Sequence, residues 1–282
     1  MPQPTVADSL HRVRTSLLRA GISEAGLEAE LLVRFVLHLG AAQMYSGLKD
    51  AVSEAQQSEL DSLVKRRTTR EPLAYILGEQ PFYGRSFLVD RRVLIPRPET
   101  EFVVARAVEF AKGRHTRVAD IGVGSGALAV TVALEIPAAV VDAVDISLDA
   151  LSVARENATR FDVLDRVRLV RCNLADALRG PYEIILANLP YVLTGRLCEA
   201  APELSFEPRS ALDGGPDGMK LVGPLLRDLP RLLAPAKSIA ILEIDPPLVP
   251  AVRREVLTNL PAASVTIERD LAGLDRYAVI SR

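Results

Sequence analysis

Val118-Ala-Asp-Ile-Gly-Val-Gly-Ser-Gly126 reads as the end of a β-strand that runs straight into a glycine turn. Val118, Ala119 and Ile121 are compact apolar residues suited to a buried strand, and Ala127 to Glu135 continues as a helix. Gly122, Gly124 and Gly126, with Val123 and Ser125 between them, let the backbone turn sharply and approach a ligand closely. The helix start adds free N–H groups. The third glycine comes one residue earlier than in the dinucleotide fingerprint G-x-G-x-x-G, which counts against a nicotinamide cofactor. Taken alone, the loop also suits a tight strand–helix turn that holds nothing.

Outward from this loop the chain alternates. A helix over 99–111 precedes the strand 117–121. The helix 127–135 leads to a strand over 140–145, and a helix over 148–159 to a strand over 167–171. A strand over 183–187 follows without a long helix. A helix over 218–233, a strand over 238–244, a helix over 248–258 and strands over 264–268 and 277–281 complete the pattern. Strands alternating with helices predict an α/β fold, a doubly wound, mainly parallel seven-stranded sheet. The last two strands, with no helix between them, predict one antiparallel edge hairpin.

The second strand ends Val140-Val-Asp-Ala-Val-Asp145, 19 residues beyond Gly126. A carboxylate at that strand tip can accept hydrogen bonds from both ribose hydroxyls. Loop and acid together point to an adenosine-containing ligand at the carboxyl ends of the strands. Asp120 is placed to meet a cationic group, such as the amino group of a methionyl moiety; the plainer reading is a loop-capping aspartate. Asp142 lies three residues before Asp145, points to the opposite face and has no cofactor role.

Asn188-Leu189-Pro190-Tyr191 follows the fourth strand. An amide nitrogen is a poor nucleophile because its lone pair is delocalised into the carbonyl. Two acceptors aimed at its two N–H groups fix the nitrogen and favour charge building up there. The Asn188 side-chain oxygen is one. The Leu189 carbonyl is the other, turned by the restriction that Pro190 places on the residue before it. Tyr191 offers a flat wall for a planar amide. Positioning and electrostatics then supply most of the acceleration for attack on a sulfonium methyl.

Residues 1–75 read as helical. Val6, Leu10, Val13, Leu17 and Leu18 make one apolar face before Gly21; Leu27, Leu31, Leu32, Phe35 and Val36 make a second, ending at Gly40. A third helix is predicted over 53–67, with Leu60, Leu63 and Val64 inward. Residues 76–97 read as a linker with a β-hairpin carrying Phe82, Phe87, Val89, Val93, Leu94 and Ile95, with Gly84 and Asp90-Arg91 as turns. The catalytic domain then spans 98–282.

The 34 basic and 36 acidic side chains nearly cancel. A protein that neutralises many phosphates carries a basic excess, so stable nucleic-acid binding is not expected. Cys172 and Cys198 are the only cysteines and are expected to stay reduced. No cysteine–histidine cluster has metal-ligand spacing, and no metal is expected. No apolar run is long enough for a membrane span, and the N-terminus lacks a signal-peptide core, so a cytoplasmic protein is expected.

These motifs resemble the peptide chain release factor glutamine-N5 methyltransferases. The likeness is carried by Pro72-Leu-Ala-Tyr-Ile-Leu-Gly78, Val93-Leu-Ile-Pro-Arg-Pro-Glu-Thr-Glu101, Asp120-Ile-Gly-Val-Gly-Ser-Gly126, Ala143-Val-Asp-Ile-Ser147, Ala154-Arg-Glu-Asn157, Asn188-Leu-Pro-Tyr191, Phe206-Glu-Pro-Arg209 and Ala211-Leu-Asp-Gly-Gly215. The resemblance implies a Rossmann-like methyltransferase fold, S-adenosyl-L-methionine as cofactor, and as substrate the glutamine of the Gly-Gly-Gln motif in release factors. It implies that Asp120, Gly122 to Gly126, Asp145, Asn173, Leu174 and Asn188 meet the cofactor, that residues 188–191 hold the amide, and that the helical domain docks the substrate protein. The chain departs from the family at Leu189, where a proline is usual, at Asn173, where an aspartate is usual near the adenine, and at Asp245, where a glycine is usual. Two other readings use the same residues: a DNA or RNA adenine-N6 methyltransferase, which also pins an exocyclic amine, and a non-catalytic adaptor. No oligomeric state follows from the sequence; a monomer is the expectation.

Overall fold

The computed structural model describes residues 3–199 and 201–282. The chain divides into two compact units, one ending at Gly78 and the other running from Glu79 to Arg282.

The first unit contains α1 (Val6–Arg19), α2 (Ala25–Leu37), α3 (Ala41–Ser46), α4 (Glu54–Thr68) and α5 (Leu73–Leu77). Thr5 opens α1 with a capping box: its hydroxyl accepts the Asp8 N–H at 3.2 Å, and Asp8 accepts the Thr5 N–H at 2.9 Å. Ser53 and Gln56 do the same for α4, satisfying N–H groups that a helix start leaves open. Val13, Leu17, Leu32, Val33 and Leu60 form the core of this unit.

Three expectations fail here. Leu18, Leu27 and Phe35 face solvent, at 54%, 56% and 41% exposure. The buried stripe of α2 is instead Ala25, Ala29, Leu32, Val33 and Val36, which share one face at helical spacing; Leu27 and Phe35 fall off it. Also, α2 stops at Leu37, before Gly40, because His38 turns into the left-handed region at φ 53°.

The second unit opens with a hairpin of β1 (Glu79–Phe82) and β2 (Arg85–Leu88). Its turn, Tyr83-Gly84, has both residues at positive φ, matching the twist of a two-residue hairpin. The hairpin is shorter than expected. Val89, Val93 and Ile95 are buried, yet they belong to an irregular segment and not to a strand.

There follow α6 (Glu101–Ala111), β3 (Thr116–Ile121), α7 (Ala127–Glu135), β4 (Ala139–Asp145), α8 (Leu148–Arg160), β5 (Val167–Arg171), β6 (Ile184–Ala187), α9 (Val222–Leu232), β7 (Ile239–Glu243), α10 (Val249–Asn259), β8 (Ser264–Arg269) and β9 (Asp275–Ser281). These strands form one seven-stranded sheet in the order β5-β4-β3-β6-β7-β9-β8. It is parallel except at β9, which runs antiparallel between β7 and β8. Alternate residues feed two cores. Ile184 and Leu186 of β6 join one with α6, α7 and α8, while Ile185 and Ala187 join the other with α9 and α10. The helix expected over 218–233 begins only at Val222, because Gly218 lies in a turn at φ 76°. Among the described residues, no helix is long and apolar enough to cross a membrane.

The chain leaves β3 for β4 on one side and returns for β6 on the other. Strand order therefore reverses beside β3, where a doubly wound sheet opens a crevice at its carboxyl ends.

Candidate active site

A cavity of about 570 Å³ occupies that crevice. Gly122 to Ser125 line it from the end of β3, Asp145 from β4, Asn173 and Leu174 from beyond β5, and Asn188 to Pro190 from beyond β6.

The three glycines do different work. The Gly122 and Val123 N–H groups both donate to the Val144 carbonyl at 2.9 Å, which binds the loop to β4. The Gly124 N–H donates to Asp145 Oδ2 at 3.0 Å, and Asp145 Oδ1 accepts the Ser147 N–H at 2.9 Å. At Gly124 no heavy atom lies within 4 Å of where a Cβ would stand, so its backbone is open to a ligand. At Gly126 a Cβ would meet the Ala154 Cα at 3.1 Å, so this glycine brings the loop tight against α8. Asn157 secures the same loop from α8: its Nδ2 donates to the Ser125 carbonyl at 2.8 Å and to the Leu88 carbonyl at 3.0 Å.

Asp120 stands behind the loop at 1% exposure and is not part of the cavity wall. Its Oδ2 accepts the Ala129 N–H at 3.1 Å, so it caps the first turn of α7. Its Oδ1 is buried without a hydrogen-bond partner. Burial pushes the carboxyl up to about 7; the Asp145 charge adds to this and the Ala129 N–H opposes it. Asp142 accepts the Tyr182 hydroxyl at 2.6 Å and pairs with Arg168 at 2.8 Å, away from the cavity.

Beyond β6 the Asn188 Nδ2 donates to the Thr100 hydroxyl oxygen at 3.0 Å. Thr100 in turn donates to Glu243 Oε2 at 2.7 Å, and Tyr191 donates to Glu243 Oε1 at 3.0 Å. Glu243 ends β7 at 2% exposure. Burial raises its carboxyl above the ordinary range, opposed by the hydrogen bonds from Thr100 and Tyr191 and the charge of Arg276. Burial and the Glu243 charge likewise raise the Tyr191 phenol. Tyr191, expected as a cavity wall, does not line the cavity: its hydroxyl is drawn to Glu243. Leu189 is buried, and a Cβ on Gly122 would sit 3.1 Å from its Cδ2.

The outer wall is a joint between two segments distant in sequence. Glu207, 6% exposed, accepts the Ile95 N–H at 3.0 Å and an Arg97 guanidinium N–H at 2.5 Å. Leu94 and Pro96 on one segment and Pro208 and Arg209 on the other line the cavity. Gly214 and Gly218 let the chain press on the turn after β6: a Cβ at Gly214 would lie 2.6 Å from the Tyr191 Cα, and one at Gly218 2.8 Å from the Tyr191 carbonyl oxygen.

The structure thus brings Gly122 to Ser125, Asp145, Asn173, Leu174 and residues 188–190 to one cavity, and sets Asp120, Gly126 and Tyr191 just outside it. Sequence reasoning missed Thr100, Glu207 and Glu243. Glu243 had a signal, a carboxylate closing the apolar run Ile239-Ala-Ile-Leu242, and Glu207 one between Phe206 and Pro208; Thr100, between Glu99 and Glu101, had none. The polar groups present fit an adenosine cofactor: Asp145 suits ribose hydroxyls and Asn173 an adenine edge, while Gly124 leaves room for close approach.

Two family descriptions match the chain: "PrmC N-terminal domain" over residues 8–78 and "Methyltransferase small domain" over residues 103–205. The chain is 40% identical to the release factor glutamine methyltransferase of Neisseria gonorrhoeae, over 90% of this chain and 92% of that one. It is 36% identical to the release factor glutamine methyltransferase of Bradyrhizobium diazoefficiens, over 95% of this chain and 92% of that one. Among solved structures, the hMettl16 catalytic domain in complex with an RNA hairpin shares the fold, with a TM-score of 0.57 at 15% identity, covering 84% of this chain and 83% of that one.

Proposed function

The chain belongs to the release factor glutamine methyltransferases, and we infer that it transfers a methyl group from S-adenosylmethionine to the side-chain amide nitrogen, N5, of the glutamine in the Gly-Gly-Gln motif of peptide chain release factors. When bound, the cofactor supplies an electrophilic methyl group. Every other contribution comes from residues of this chain.

Gly122 to Ser125 receive the cofactor, with the Gly124 backbone open to it, Asp145 accepts from its ribose hydroxyls, and Asn173 and Leu174 hold the adenine. Asp120, behind the loop and off the cavity wall, holds the first turn of α7 through the Ala129 N–H. Asn188 Oδ1 and the Leu189 carbonyl accept from the two N–H groups of the substrate amide and hold its nitrogen in line. Tyr191 anchors this turn through Glu243. Oriented acceptors in a cavity shielded from water act by positioning and by stabilising the charge that develops on nitrogen.

One observation carries the reading of the site. Asn188 lines the same cavity as Gly124 and Asp145, and its Nδ2 is already committed to Thr100, which leaves Oδ1 for a substrate. The helical unit is read as the part that docks the release factor. Its exposed apolar side chains Leu18, Leu27, Phe35 and Tyr45 support this. The relatives are named for a protein substrate, and the adenine-N6 alternative is set aside. The test supplies methyl-labelled S-adenosylmethionine with a release factor, its Gln→Ala variant and an oligonucleotide. Label is expected on the intact release factor alone; label on the oligonucleotide alone would overturn the protein-substrate reading.

A further inference from the structure

We propose that Glu243, acting through Thr100, is a positioning residue that fixes which end of the Asn188 amide faces the cavity. This rests on the role given to Asn188 above. The oxygen and nitrogen ends of an asparagine amide are nearly the same size, so packing alone does not choose between them. Hydrogen-bond polarity does.

The hydrogen bonds from Thr100 and Tyr191 and the Arg276 charge oppose the burial that raises the Glu243 carboxyl, and in its ionised form it accepts and has nothing to donate. Glu243 sits between two hydroxyls, Thr100 at 2.7 Å and Tyr191 at 3.0 Å, and both must therefore point their hydrogens at it. Thr100 has then spent its one proton. Only lone pairs remain on its oxygen for a further neighbour, and that neighbour, 3.0 Å away, is the Asn188 amide. A donor is required there, so Nδ2 takes the position and Oδ1 is turned outward. The reversed amide would set an oxygen against the Thr100 lone pairs. It would also offer N–H groups to a substrate whose own amide nitrogen carries N–H groups, donor against donor.

The chain of polarity joins elements far apart in sequence: Thr100 just before α6, Asn188 and Tyr191 after β6, and Glu243 at the end of β7. Thr100 and Glu243 are both buried, at 5% and 2% exposure. On the Thr100–Glu243 side the amide therefore meets fixed protein partners.

The experiment measures kcat and the KM for S-adenosylmethionine with a release factor as acceptor. It compares wild type, Thr100→Val, Thr100→Ser, Glu243→Gln and the Thr100→Val/Glu243→Gln double variant. Thr100→Val keeps the shape and removes the hydroxyl; Glu243→Gln keeps the shape and makes the polarity ambiguous. Each is expected to lower kcat by about 10- to 100-fold, as loss of an oriented acceptor does, with the cofactor KM within about twofold of wild type. Thr100→Ser restores the hydroxyl and recovers most of the loss. The double variant is expected to be no slower than the slower single one, because both break the same chain. Thr100→Val turning over at the wild-type rate overturns the positioning role alone. So do Thr100→Val and Glu243→Gln losing cofactor affinity in step with rate, which would make the pair a structural prop. A wild-type protein that leaves the release factor unlabelled overturns the assigned reaction and this proposal with it.

Discussion

The Asp145 carboxylate accepts the Gly124 N–H at 3.0 Å, so the tip of β4 holds the loop that leaves β3. Asp145 thereby supports the backbone beside the position proposed for the cofactor. Asp145→Ala removes the acceptor for Gly124 and for Ser147 together. Cofactor binding is expected to weaken by about 1–3 kcal/mol, read by calorimetry with S-adenosylhomocysteine. An unchanged affinity would exclude Asp145 from the site.

Asn188→Ala separates binding from chemistry. The glycine loop and Asp145 are untouched, so cofactor affinity is expected to hold. Turnover is expected to fall by about 10²–10³-fold, the loss that follows removal of one oriented group acting on developing charge. Single-turnover rates with saturating cofactor make the measurement; a wild-type rate would remove Asn188 from the mechanism.

Gly124 and Gly126 should respond in opposite ways to alanine. At Gly126 the new methyl group meets Ala154 at 3.1 Å in a backbone at φ 84°, so the cost falls on the fold, at about 1–3 kcal/mol. At Gly124 the methyl group meets no protein atom and points into open space, so only the strain of its φ of 54° is felt by the fold. Its cost falls on cofactor binding. Urea titration and calorimetry on both variants test the contrast, and equal effects on stability would refute it.

Asp120 should make the cofactor-free protein weaker as pH rises. Burial holds its carboxyl at about 7 in the folded chain, against an ordinary 3.8. The folded state thus binds the proton more tightly than the unfolded state, and stability falls between about pH 4 and about pH 7. Asp120→Asn keeps an acceptor for the Ala129 N–H and cannot ionise. Relative to wild type it is expected to gain on the order of 2–4 kcal/mol between about pH 4.5 and about pH 7.5, by urea unfolding. The same difference at both pH values would mean that Asp120 does not titrate in this window.

Breaking the wall joint should destabilise the catalytic unit. Glu207→Ala leaves the Ile95 N–H and the Arg97 guanidinium without their acceptor. A loss of about 2–4 kcal/mol is expected from uncompensated buried donors. A change below about 0.5 kcal/mol in urea unfolding would place Glu207 among ordinary surface residues.

The parts of this site that sequence reveals are the local ones. Gly122, Gly124 and Gly126 are legible because a turn needs them within a few residues of a strand end, and Asp145 because a charge caps an apolar run. Asn188 is legible because a strand places it. The support for Asn188 is not: Thr100 and Glu243 are 143 positions apart, and only the completed sheet brings them together. The helical unit reads correctly as helical, but the buried face of α2 does not, for a different reason. Both sides of α2 carry apolar residues, and the small Ala25 and Ala29 are buried where Leu27 is not, because small side chains let neighbouring helices approach. Hydrophobicity alone does not choose between those faces.

Leu189 follows Asn188 in the turn after β6, and its side chain reaches across to Gly122. The turn after β6 and the glycine loop after β3 are thereby packed against each other through a leucine methyl group. Displacement on one side is transmitted to the other, so the two halves of the reaction centre share one mechanical fate.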